Sequence, residues 1–132
     1  MSNSNENWHA VETYKSLMQY GGTVLRFVLL VNGGAALALL TFLGNAVTKS
    51  GANLDFRWPM ACYLIGVIIG GLATCTAYVT QLALFNEEMN RQNRFTSRSH
   101  TFWLNWTIAF AVLGILCFAV GSLIAVFKLT IA

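Results

Sequence analysis

Arg91, Arg94, Arg98 and His100 are the densest group of chemistry-bearing side chains in the sequence. Guanidinium forks take phosphate and carboxylate oxygens in pairs, so the cluster suits an anionic ligand; it suits anchoring against anionic lipid equally well. Repeated around an oligomer, it would form a cationic ring. Tyr20, Phe95 and Trp103 would then offer stacking surfaces to a ligand carrying bases. Five residues separate Arg94 from His100, a spacing that loosely fits an Arg/His pair of some ribonuclease helices, but His100 falls across a turn and nuclease chemistry is not expected. Nothing else converges. The sequence has no HExxH, Walker loop, GxSxG or paired-carboxylate arrangement, and Cys62, Cys75 and Cys117 lack a CxxC partner or an adjacent His or acid. The cysteines read as small packing residues. No enzyme activity, metal or cofactor is expected.

The elements that must hold these residues follow from composition. Of 132 residues, 56% are hydrophobic and 10% charged, with a net charge of +3; soluble domains carry roughly 25% charged residues. Residues 24–47 contain one charge, Arg26, and residues 60–85 and 102–127 contain none. About 20 apolar residues cross a bilayer core ~30 Å thick, so each stretch is long enough. The expected fold is all-α and integral to the membrane, with three transmembrane helices in one domain. A cleaved signal peptide is not expected, because two Glu and one Lys precede the first span and its apolar run is too long.

Residues 1–9 read as a polar, frayed tail. In residues 10–23, Ala10, Val11, Tyr14, Leu17, Met18 and Gly21 form one stripe of an amphipathic helix. That helix lies at the membrane surface or stands as a cytoplasmic stalk, and Gly21-Gly22 is expected to kink the chain or turn it. Span 1 covers 24–47, an outer loop 48–58, and span 2 covers 59–85, opened by Pro59 as a first helical residue. Tyr78, Leu82, Phe85, Met89 and Gln92 continue a 4-3-4-3 spacing past span 2. The favoured arrangement therefore packs this extension against the 10–23 stripe as a helical stalk. A cytoplasmic extension and turn occupies 86–101, where Ser97, Ser99 and Thr101 are N-cap candidates. Span 3 covers 102–127, and 128–132 form an outer tail. Lys15, Arg26, Arg91, Arg94 and Arg98 outnumber Lys49, Arg57 and Lys128 across the membrane. That asymmetry predicts a cytoplasmic N-terminus and an outer C-terminus. Trp103 and Trp106 at one level and Trp58 at the other fit interfacial aromatic belts.

Each span carries a seam of small residues at helical spacing, the feature through which membrane helices pack. The seams are Gly34, Ala38, Thr41 and Asn45 in span 1, Gly66, Gly70, Ala73 and Ala77 in span 2, and Ala111, Gly114, Gly121 and Ala125 in span 3. Asn32 lies about 160° from Gly34, on a face shared with Leu25, Val28, Ala36, Leu39 and Leu43. An amide facing lipid is costly, so span 1 has two faces that need something other than hydrocarbon. Asn32 either bonds a backbone carbonyl in its own bundle or, with Thr41 and Asn45, faces other copies or a wet lumen. Arg26 reads as a residue near the inner interface that snorkels to the headgroups.

The stretch Tyr14-Lys15-Ser16 with Tyr20, then Leu30-Val31-Asn32-Gly33-Gly34-Ala35-Ala36 and Thr41-Phe42-Leu43-Gly44-Asn45, resembles small three-helix inner-membrane proteins of bacteria. Some of these are associated with anti-phage defence loci. The likeness covers the first third of the chain, and the remainder only by hydropathy. It implies a membrane effector: an oligomeric channel acting with a soluble nucleotide-signalling partner. No family site residues carry over. Three function classes stay open at this point: a homo-oligomeric pore controlled at the basic turn by a nucleotide-type anion or a partner protein, a non-conducting accessory subunit, and a transporter. The last lacks the inverted repeats and broken helices common in its class.

Overall fold

The computed structural model describes residues 3–50, 55–88 and 100–131. They form three helices: α1 (Asn3–Ser50), α2 (Arg57–Glu88) and α3 (His100–Ile131). Each contains a stretch long and apolar enough to cross a membrane. Arg91, Arg94, Arg98, Phe95, Met89, Gln92, Ser97 and Ser99 lie outside the described residues.

Several boundaries differ from the sequence expectations: α1 runs to Ser50, into the expected outer loop, and α3 runs from His100 to Ile131. Thr101 therefore lies inside the helix and not at its N-cap, and residues 128–131 continue the helix instead of forming a tail. Helix α1 starts at Asn3, so residues 3–9 continue the helix instead of fraying, since no Gly or Pro interrupts residues 3–20. It also runs through Gly21-Gly22 without a break: two glycines weaken a helix by about 2 kcal/mol, and 48 residues of continuous ladder absorb that. Helix α2 starts two residues before Pro59, because the Arg57 N–H donates to Asp55 Oδ1 at 3.3 Å and the Met60 N–H to Phe56 O at 3.1 Å. These contacts satisfy the first turn, where Pro59 is tolerated.

The helices are antiparallel in chain order, and their contacts fix the register. Phe42 meets Phe56 edge-to-face at 6.0 Å between ring centres. Val28 and Leu29 lie against Gly70, and the Gln81 Nε2 donates to Met18 Sδ at 3.1 Å. Helices α2 and α3 make the most extensive contact, and α1 rests mainly on α2. Ala36, Leu39, Phe56 and Tyr63 form a buried cluster at one end, closed by Leu43, Met60, Phe118 and Ala125. At the other end α2 turns Thr80 and Ala83 inward.

That last choice changes the stalk. Val11, Tyr14, Leu17 and Met18 on α1 and Tyr78, Leu82 and Phe85 on α2 are all exposed. The two apolar stripes therefore do not bury one another in the protomer; Met18 and Gln81 make the contact instead.

Candidate functional site

Asn32 sits at the crossing of all three helices and is fully buried. Its Nδ2 donates to Val28 O at 2.9 Å within α1 and to Gly114 O at 3.0 Å on α3. The carboxamide occupies the space a side chain at Gly66 would need. A Cβ at Gly114 would meet Val28 Cγ1 at 2.5 Å, and one at Gly70 would meet Leu29 Cδ2 at 2.9 Å. Farther along, a Cβ at Gly121 would meet Tyr63 Cε1 at 2.8 Å, and the Tyr63 hydroxyl pairs with Ser122 Oγ at 3.1 Å. The Thr107 hydroxyl meets Thr76 Oγ1 at 3.0 Å, joining α2 and α3 by a further polar contact. Gly66, Gly70, Gly114 and Gly121 thus stand at helix crossings, where backbones approach closely.

Of the two alternatives for Asn32, the bond to a backbone carbonyl in its own bundle is the one present, whereas the packing expected of Gly34 is not found in the protomer. Asn32 belongs to the protomer interior and is not on a face that could meet a lumen or another copy. Of the two faces of α1, the one with Leu25, Val28, Asn32, Ala36, Leu39 and Leu43 packs inward. The side chain holds that place because two carbonyls accept the Nδ2 protons and a glycine leaves it room, while the buried Oδ1 has no hydrogen-bond partner among the described residues. Gly34 is not a packing contact within the protomer: a Cβ there would meet nothing within 4 Å. Ala38, Thr41 and Asn45 are exposed with it, and the Thr41 hydroxyl is satisfied by Leu37 O at 2.9 Å.

The outward face of α1 has a second feature. At ~100° per residue, Thr23, Arg26, Leu30, Gly34, Leu37 and Thr41 fall within about an 80° arc, extended by Gln19 at one end and Asn45 at the other. All eight are exposed. Because Val28 and Leu29 lie against Gly70, the antiparallel register places Arg26 level with Leu72. Leu72 is 15 residues from Arg57 and 15 from Glu87, about 22 Å each way. Helix α3 agrees: Gly114, which Val28 touches, is 14 residues from both His100 and Lys128. Arg26 is therefore midway along the charge-free lengths of α2 and α3, not at their end. Among the described residues it has no hydrogen-bond or ion-pair partner, and the ion pair present joins exposed Asp55 and Arg57 at 4.0 Å. Sequence reasoning missed this position because it set the start of span 1 by the charges of α1 alone. The missing signal was register.

His100 opens α3 and is partly buried; the rest of the basic cluster lies outside the described residues. No group of three or more His, Cys, Asp or Glu side chains that could hold a metal ion occurs among the described residues. The chain matches no protein-family model, no curated protein and no solved structure.

Proposed function

We propose that this is a multi-pass protein of the bacterial inner membrane whose copies assemble around a water-filled lumen lined by the outward face of α1. It acts as a small ion channel or pore. Three helices long and apolar enough to span support the membrane placement, and the excess of basic residues at the N-terminal side supports a cytoplasmic N-terminus and an outer C-terminus. The first turns of α1 and the last of α2 then extend into the cytoplasm as the stalk. The observation that carries the pore is Arg26. An Arg at the centre of a lipid-facing helix costs about 2.5–3.5 kcal/mol on insertion scales, and no acid lies in any span to offset it. Enclosing α1 among copies, with water along its polar stripe, removes that cost. The neighbouring Phe27 and Leu40 are exposed and apolar, as contacts between copies require. Control by an anionic nucleotide-type ligand or a soluble partner at Arg91, Arg94, Arg98 and His100, in the manner of a defence effector, belongs to the same proposal.

Two measurements on the purified full chain test it: oligomer size in mild detergent and ion flux from liposomes. A closed ring of identical chains that passes ions supports the pore. A protein that stays monomeric and passes nothing overturns it in favour of an accessory subunit, whose α1 face is covered by a different protein.

A further inference from the structure

We infer that Arg26 makes the lumen selective for small inorganic anions, an inference that rests on the pore proposed above. The guanidinium is the one charge in the middle of the described spans, and in a ring of copies it recurs once per subunit at a single level. Like charges gathered at one level of a narrow, low-dielectric passage raise the local concentration of counter-ions and exclude ions of their own sign. No carboxylate shares that level: Leu72 stands there on α2, and α3 carries no acid at all. The ring therefore stays unneutralised by the protein, and its counter-ion comes from solution.

The neighbours on the same arc shape the passage. Thr23 precedes Arg26 by one turn toward the N-terminal end, and its hydroxyl is held by Gln19 O at 2.9 Å. Leu30 and Leu37 follow, with 73% and 67% exposure in the protomer. In a ring they form two apolar constrictions separated by Gly34, which keeps the passage open between them. An anion is thus concentrated at Arg26 immediately before the first constriction. A partner carrying a single acid would need only Arg26; it would leave the polar and glycine positions one and two turns away without a role.

The test is the reversal potential of the reconstituted full chain across a potassium chloride gradient. Chloride should be preferred over potassium by about tenfold or more. Arg26→Gln should bring the ratio to near unity while ions still pass, and Arg26→Lys should keep most of the preference. Oligomer size, measured for each variant, separates loss of charge from loss of assembly. If Arg26→Gln does not assemble, the Lys variant decides: a preference for potassium there overturns the inference. A conducting wild type that prefers potassium, or an unchanged ratio in Arg26→Gln, overturns the anion assignment and leaves the pore standing. A wild type that passes no ions overturns the pore as well.

Discussion

The outward faces of α1 and α3 occupy the same levels of one bundle and are built from different residues. Helix α3 shows Ile108, Val112, Ile115, Leu116, Val120 and Leu123 to its surroundings, a face that hydrocarbon satisfies. Across those levels α1 shows Thr23, Arg26, Gly34 and Thr41 among its leucines. Exposure in a protomer is thus not one condition but two. Lipid alone would complete the α3 face. The α1 face is unfinished, and the loosest helix of the three is the one that carries it. The inward face of α1 differs again, since there the Asn32 Nδ2 donates to two carbonyls and only the Oδ1 is left without a partner.

The contrast breaks most visibly with one substitution at two glycines. Gly114→Leu drives a side chain into Val28 and Gly66. It should cost about 3 kcal/mol and lower the thermal midpoint of the protein in detergent. Gly34→Leu meets nothing in the protomer, so the protomer's fold should persist while ion flux falls. Equal destabilisation by the two variants would mean that the α1 face is packed in the protomer after all.

Asn32→Leu comes next. It removes the bonds to Val28 and Gly114 and presses a branched side chain on Gly66, for a loss of about 1–2 kcal/mol, read as a lower unfolding midpoint in detergent. Ion selectivity should not change, because the amide is buried within the protomer, away from the face proposed to line the lumen. Altered selectivity with unchanged stability would place Asn32 back on a pore wall. The smallest effect is expected for Tyr63→Phe, about 0.6 kcal/mol, through the lost contact with Ser122; flux should be unaffected.

Much of this architecture is legible in the residues. Three charge-poor stretches give three helices, and the glycine seams of α2 and α3 lie where those helices cross. The face shared by Asn32, Val28, Ala36 and Leu39 is equally legible as a unit. Its direction is not. A small-residue seam and an amide-bearing apolar face both read as contact surfaces, and only the facing glycines, Gly66 and Gly114, decide which one turns inward. That is information about depth in neighbouring helices, which no single helix contains. The level of Arg26 was hidden for the same reason. Hydropathy measured along α1 places it near an end, whereas the contacts with Gly70 and Gly114 slide α1 along its partners and bring it to their middle. The stalk illustrates a further limit: two apolar stripes near one another in level need not face each other, because α2 commits Thr80 and Ala83 to the interior.

The central claim, that the outward face of α1 meets water while that of α3 meets lipid, is tested most directly by thiol accessibility. A membrane-impermeant, water-soluble methanethiosulfonate needs an ionised thiolate, so it modifies cysteines in water and spares those in hydrocarbon. On a background with Cys62, Cys75 and Cys117 replaced by Ala, single cysteines would be placed at Leu30, Gly34 and Leu37, and at Leu116, Val120 and Leu123 as controls. In membranes, the three α1 positions should be modified and the three on α3 should not. Protection of Leu30, Gly34 and Leu37 to the same degree as the α3 positions would contradict it.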